Sequence, residues 1–220
     1  MDVIAYIHND FPAKFGLPRQ SGLAPSLRSK IVFEPAYRVA EALRGLEGFS
    51  HIWLIWGFSA NTTDWSPTVR PPRLGGNVRL GVFATRSPFR PNPIGLSSVR
   101  LDGIEPDGEK GLVLIVSGAD LMDGTPIYDI KPYLPGTDAH PDAADGFVGA
   151  HAQALLHVEI APELAVKLSE TQIKTLREIL AQDPRPAYHA AHADPGRIYG
   201  LSYAGHDIHF TVEDHLVRVY

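Results

Sequence analysis

Apolar and small residues alternate with period two over residues 3–7 (VIAYI), so the chain enters on a half-buried strand. Residues 11–27 break that rhythm with Phe15, Pro18, Arg19, Gln20 and Gly22 and read as a long loop, before a short strand at 31–33. In 36–46, Val39, Leu43 and Leu46 recur at helical spacing and Gly48 is placed to stop the turn, which predicts a helix. Residues 52–57 (IWLIWG) are apolar on both faces and rich in β-formers, the pattern of a buried central strand. A loop is expected over 61–77 and a strand over 78–85. Residues 86–93 cannot be regular, because Pro88, Pro91 and Pro93 each remove a backbone donor. Residues 97–104 and 112–116, joined by PDGEKG at 106–111, form a hairpin, and 125–131 gives another strand. Helical patterning is scarce up to here, so residues 1–149 are expected to fold as a mostly-β barrel or sandwich.

Residues 135–149 are rich in Pro, Gly, Asp and Ala without periodicity, and the domain boundary is placed there. After a strand at 154–160 comes the strongest helix signal. Ser169-Glu-Thr-Gln172 is a capping box, Leu168 can staple onto Ile173, and Leu176, Ile179 and Leu180 continue the apolar stripe to the prolines at 184 and 186. Strands at 197–204, 207–212 and 216–220, with turns at Gly205-His206 and Glu213-Asp214, complete a small α+β unit over 150–220.

Composition changes this picture little. Over 220 residues the hydrophobic content of 44% and charged content of 20% are those of a globular protein with a sizeable core. The absence of cysteine excludes disulfides and thiolate chemistry and accords with a reducing compartment. The start, MDVIAYIHND, has neither a basic leader nor a long apolar core, and the run at 51–58 is far below the ~20 residues of a membrane helix. A cytoplasmic protein with no membrane partner is expected.

Charge changes it more. The net charge is −5, yet residues 70–100 hold Arg70, Arg73, Arg79, Arg86, Arg90 and Arg100 without one carboxylate, leaving −11 on the rest. Local charge sets local field, so this segment builds an anion-binding surface in an acidic protein. Arginine suits phosphate and carboxylate through its planar fork.

Two loops are too rich in chemistry to be connectors alone. Residues 85–98 hold Arg86, Arg90 and Asn92 on a proline-stiffened frame, and residues 117–135 combine Asp120, Asp123 and Asp129 with Lys131, Tyr133, Gly118 and Gly124. A rigid cationic loop beside an acidic one can satisfy a zwitterion with an extra positive centre. Asp120 and Asp123 read equally as turn formers that bond their own downstream amides. Asp129, Lys131 and Tyr133 alternate along one strand and so share a face. The pairs His189/His192 and His206/His209 complete no familiar ligand set, and no metal is expected. Ser97, Ser98 and His51 lack the G-x-S-x-G elbow of a hydrolase, and Gly75-Gly76 lacks the Walker lysine. Trp53, Trp56 and Phe58 read as core, and Trp65 as the better base-stacking candidate.

The motifs PRQSG at 18–22, LRGLEGFSHIWLIW at 43–56, VRPPRLGGN at 69–77, GVFATRSPFRPNPIGLS at 81–97, DLMDGTPIYDIKPYLP at 120–135 and DPRPAY at 183–188 together resemble the TsaA-like family of TrmO-type tRNA methyltransferases. The resemblance spans nearly the whole chain. It implies a β-barrel homodimer that uses S-adenosyl-L-methionine to methylate N6 of threonylcarbamoyladenosine beside the anticodon of threonine tRNA. Carried over by position, the cofactor contacts are Pro18, Arg19 and Gln20; Arg86; Leu96; and Asp120, Leu121, Met122, Asp123, Gly124 and Thr125. The family also uses the pair after the Trp-rich strand, here Ser59 and Ala60. Some members carry larger polar side chains there, which leaves backbone contacts open in this chain.

Arg86 or Arg19 then suits the cofactor carboxylate, the Asp120/Asp123 loop its ammonium and sulfonium, and loop amides with Leu96 its adenine. Asp129, Lys131 and Tyr133 are the candidates for a base or oxyanion stabiliser. Arg70, Arg73, Arg79 and Arg90 would hold the tRNA anticodon arm. Two other readings stay open: an RNA-binding barrel without catalysis, and a small-molecule enzyme with an anionic substrate.

Overall fold

The structure, a computed structural model, describes the chain except residues 62–63, 72–73, 75–77, 150–153, 186–193 and 195. Six strands, β1 (Ala5–His8), β2 (Arg28–Phe33), β3 (His51–Gly57), β6 (Ile94–Pro106), β7 (Leu112–Ser117) and β8 (Pro126–Pro132), close into an antiparallel barrel in the order β1-β2-β7-β6-β3-β8. Closure leaves no edge to cap. The period-two pattern supplies the filling: Ala5, Ile7, Ile31, Ile52, Leu54, Val99, Leu114, Val116 and Ile127 are all buried in one cluster. Two short strands, β4 (Thr68–Val69) and β5 (Leu80–Gly81), pair outside the barrel.

The tail builds a second sheet. Its strands β9 (His157–Ile160), β10 (Tyr199–Tyr203), β11 (His206–Glu213) and β12 (Leu216–Val219) lie in the order β10-β11-β12-β9, with β9 parallel to β12. Of the helices α1 (Pro135–Asp138), α2 (Pro162–Ala165) and α3 (Glu170–Ala181), the last packs on this sheet through Leu176, Ile179 and Leu180. The capping box is formed: the Gln172 amide donates to Ser169 Oγ at 3.2 Å, and the Ser169 amide donates to Gln172 Oε1 at 3.0 Å.

The tail core is not made by the tail alone. Phe11, Ala24 and Leu27, from the long loop after β1, are buried in the same cluster as Leu176, Tyr203 and Phe210. The Phe11 and Tyr203 rings lie 4.7 Å apart, and Ser26 donates from Oγ and from its amide to the Glu178 carboxylate at 2.7 and 2.9 Å. A loop anchored at both ends in this way holds its middle, residues 18–20, against the barrel mouth.

Four local expectations are corrected. Residues 36–46 form no α-helix but separate 3-10 turns at Pro35–Tyr37, Ala40–Leu43 and Leu46–Gly48. Their residues are largely exposed, and with only Leu43 and Leu46 half-buried against the barrel core the apolar stripe is too narrow to hold a helix together. Only Leu80 and Gly81 of the strand expected at 78–85 are paired; Val82 then buries itself through a 3-10 turn, its amide donating to the Pro67 carbonyl at 3.0 Å. The two tail turns sit one residue away from their expected places. Ala204-Gly205 carries the positive φ values, 52° and 76°, that a two-residue hairpin turn demands, and Asp214-His215 links Glu213 to its partner Leu216. Residues 135–138 of the expected linker form the short helix α1. The boundary itself, the His189/His192 pair and Gly75-Gly76 fall at or within stretches outside the described residues.

Candidate functional site

Alternation on β3 divides its side chains. Ile52, Leu54 and Trp56 enter the barrel, while His51, Trp53 and Ile55 face outward. Register then aligns outward rows across three strands: Leu96, Ile55 and Asp129; Ser98, Trp53 and Lys131; Arg100 and His51, with the Tyr133 amide donating to the His51 carbonyl at 3.0 Å. A cleft of about 1090 Å³ runs along this wall to the barrel mouth, where Pro18, Arg19, Gln20, Thr85, Arg86, Gly95, Leu96 and Asp120 line it. Segments about a hundred residues apart in sequence meet here.

The mouth is polar on one side and apolar on the other. Trp56 Nε1 donates to Ser97 Oγ at 3.0 Å, and Ser97 Oγ donates to Asp120 Oδ1 at 2.5 Å. Burial holds the Asp120 carboxyl above the usual carboxylate range; the Ser97 hydroxyl, the Arg86 charge and the Ser21 amide pull the other way without reversing it. Arg86 is exposed and donates to Gln20 Oε1. Arg19 donates to the Asp183 and Arg185 carbonyls at 2.8 and 3.4 Å, which ties the cleft to the segment after α3. There Arg185 grips Asp183 with two bonds of 2.8 Å. Trp56, Phe58, Ile94 and Leu96 supply the apolar side. A Cβ at Gly95 would fall inside the Trp56 ring, so this glycine is what lets the indole lie across β6.

The loop carrying Arg86 owes its shape to Arg90 as well as to proline. The Arg90 guanidinium turns back onto its own loop, donating to the carbonyls of Thr85 at 2.7 Å, Val82 at 3.3 Å and Ser87 at 3.5 Å, and lies 5.8 Å from the centre of the Phe83 ring.

Of the residues singled out in the sequence, Pro18, Arg19, Gln20, Arg86, Leu96, Asp120, Tyr133 and Arg90 line one cleft. Leu121 lies in the barrel core and Thr125 is buried. Asp123 accepts from the Asn9 amide at 3.2 Å and pairs with His8 at 3.1 Å, while the Gly124 amide donates to the Ile7 carbonyl at 2.8 Å. Residues 121–125 thus clasp the end of β1 and do not line the cleft in this chain. Ser59 and Ala60 are exposed just past Phe58. Asp129 and Lys131 form an ion pair at 3.0 Å on the outer wall, beyond the cleft lining. Arg70 is exposed, and Arg79 donates to Thr68 Oγ1 at 2.9 Å; Arg73 lies outside the described residues. Trp53, expected in the core, lines the cleft instead, as do His51, Ser98 and Asp138. The doubly apolar β3 run concealed which of its faces was which. Among the described residues no group of acids and histidines could hold a metal, and no helix is long and apolar enough to cross a membrane.

A closed β-barrel bearing a mixed cationic, acidic and aromatic cleft, roofed by a loop shared with a second sheet, defines a two-part ligand-binding barrel protein. Residues 6–139 match the tRNA-methyltransferase O N-terminal domain and residues 153–220 match the TrmO C-terminal domain. The chain belongs to the TrmO family. It is 40% identical over 218 residues to the tRNA (adenine(37)-N6)-methyltransferase of Escherichia coli K12, covering 96% of this chain and 92% of that one. It is 44% identical over 215 residues to a Pseudomonas aeruginosa protein named provisionally as an S-adenosylmethionine-dependent methyltransferase, RcsF, over 94% and 90% of the two chains. A crystal structure of TrmO from Pseudomonas aeruginosa superposes with a TM-score of 0.78 at 37% identity, covering 100% of this chain and 97% of that one.

Proposed function

We propose that this chain is an S-adenosyl-L-methionine-dependent tRNA methyltransferase acting on N6 of the adenosine beside the anticodon, in the cytoplasm and as a homodimer. Its substrate is the threonylcarbamoyl form of that adenosine in threonine tRNA. The observation that carries the reading is the meeting of Pro18–Gln20, Arg86, Leu96 and Asp120 around one cleft.

The residues fit the cofactor's chemistry. Arg86, exposed and hydrogen-bonded through one nitrogen to Gln20, suits a carboxylate. Asp120 is a half-buried carboxylate at the cleft with a hydroxyl on one oxygen, so a cation is the partner that would stabilise its charge. The wall of Trp56, Phe58 and Leu96 suits a purine. When bound, the cofactor supplies a methyl group on an electrophilic sulfonium. Ser59, Ala60 and residues 121–125 do not line this cleft; in our reading the surface-accessible ones, Ser59, Ala60, Met122, Asp123 and Gly124, complete the cofactor site from the second subunit of the dimer, while the buried Leu121 and Thr125 only shape that turn.

The chain's own contribution is orientation and proton management. The target nitrogen is conjugated to the purine and the carbamoyl group, so it is a poor nucleophile until its proton leaves. Tyr133, at the cleft wall, and the Asp129–Lys131 pair on the same outer face are the candidates in this reading to receive that proton or stabilise the resulting charge. Arg70, Arg79 and Arg90, with Arg73, line the RNA path in this reading, although Arg90 first serves its own loop.

Mass spectrometry of tRNA nucleosides from cells with and without the gene tests the reading. The methylated threonylcarbamoyl nucleoside should vanish on deletion and return with the wild-type chain. An unchanged nucleoside profile would overturn the substrate assignment, and calorimetry showing no S-adenosyl-L-methionine binding would overturn the enzyme assignment.

A further inference from the structure

The cleft is larger at its outer end than the cofactor assignment uses. Beyond the mouth it continues along the barrel wall past His51, Trp53, Tyr133 and Asp138. At about 1090 Å³ it slightly exceeds the roughly 300–1,000 Å³ that encloses one drug-sized ligand.

The outer end is built around one indole. Trp53 Nε1 donates to Asp138 Oδ2 at 2.8 Å, and the same oxygen accepts from the Leu134 amide at 2.9 Å. These two donors, the Leu134 amide first, also hold the Asp138 carboxyl below its usual range. The indole edge is therefore satisfied and its orientation held. Tyr133 packs beside it with ring centres 5.4 Å apart and planes at 49°, and His51 stands 6.2 Å from Tyr133 at 60°. Lys131 is directly across the ladder from Trp53, and Ser98 is its neighbour on the other side. The barrel interior does not need this ring, because Ile52, Leu54 and Trp56 already fill it from the same strand.

From this geometry we propose that Trp53 is the stacking platform for the target purine of the RNA. The inference rests on the tRNA methyltransferase reading above and names the side chain that receives the base. An enzyme that alters a base must take it out of its stack, and an aromatic face replaces the stacking that is lost. Tyr133 and His51 border the platform, and Leu96 marks the direction of the cofactor end on the neighbouring strand. A purine on Trp53 thus lies in the same cleft as the methyl donor.

The test uses full-length wild type, Trp53→Ala and Trp53→Phe, with an anticodon-loop RNA carrying 2-aminopurine at the target position. Wild type should quench or shift the 2-aminopurine emission, and Trp53→Ala should abolish that response while binding S-adenosyl-L-methionine within about twofold of wild type by calorimetry. With natural tRNA, Trp53→Ala should raise KM about tenfold or more, the loss expected when one base–aromatic stack is removed. Trp53→Phe, which keeps a ring and loses the Asp138 bond, should recover most of the difference. An unaltered 2-aminopurine response and KM in Trp53→Ala would overturn the proposal. So would a Trp53→Ala protein that sediments as a smaller species than wild type, since the face would then be an interface between copies. Should wild type fail to methylate any tRNA, the functional reading falls separately, and the 2-aminopurine response still decides for or against the platform.

Discussion

Ser97 shows how one small residue controls a larger one. It sits inside the barrel, accepts from the Trp56 indole and donates its only proton to Asp120. Because the indole occupies an acceptor position on its oxygen, the hydroxyl proton is directed at the carboxylate. Asp120 is pushed up by burial and pulled down by this donor, so Ser97→Ala should raise it further. Only the ionised form attracts an ammonium group, and affinity for S-adenosyl-L-methionine therefore grows as pH rises through the Asp120 pKa. In Ser97→Ala the rise should come at higher pH, with the affinity well above it little changed. Calorimetric titrations across the acid range check this, and an unmoved curve would remove Ser97 from the site. Stability runs the opposite way. A carboxyl raised in the folded state favours folding less as pH climbs from its unfolded value through its folded one.

At the level of elements, β3 and β6 build the site by what they omit as much as by what they present. Gly95 stands opposite Trp56 in the ladder, and the indole occupies the space a side chain would fill. Gly95→Ala should cost about 1–3 kcal/mol by overpacking and displace the Trp56–Ser97–Asp120 chain. Chemical denaturation reads the first effect and cofactor affinity the second; a variant with wild-type stability would contradict the packing. The segment 36–46 and helix α3 make a contrast at the same scale. Both carry apolar residues at helical spacing, but α3 has a capping box and buries Leu176, Ile179 and Leu180 of its stripe, while 36–46 has no side-chain capping hydrogen bond and only half-buries Leu43 and Leu46. Spacing with too little burial produced 3-10 turns.

Across the whole molecule, the loop 11–27 is the piece that makes two sheets into one site. Its Phe11 is buried in the tail core, and its Pro18, Arg19 and Gln20 line the cleft at the barrel mouth. Arg19 in turn reaches the carbonyls of Asp183 and Arg185 beyond α3. Phe11→Ala should destabilise the protein by about 3–5 kcal/mol and weaken cofactor binding although Phe11 does not line the cleft. Thermal unfolding and calorimetry together test this. Lost stability with unchanged affinity would mean the loop keeps its place without that anchor.

Much was legible in the sequence because it depends on short-range pattern. Period-two runs became barrel strands, Ser169 and Gln172 became a formed cap, and prolines kept residues 86–93 irregular. The motifs around Arg19, Arg86 and Asp120 name residues that line the cleft, whereas of the arginines concentrated in 70–100 only Arg86 and Arg90 do so among the described residues. Tertiary structure decided what pattern leaves degenerate. A strand apolar on both faces does not say which ring enters the core, so Trp53 and Trp56 were separated only by barrel closure. Arg90 carried the same charge signal as Arg86, yet its fork bonds its own loop, a choice made by carbonyl positions far below the resolution of composition. Asp120 and Asp123 were equivalent as letters; burial beside Ser97 set one into the cleft, and the end of β1 claimed the other.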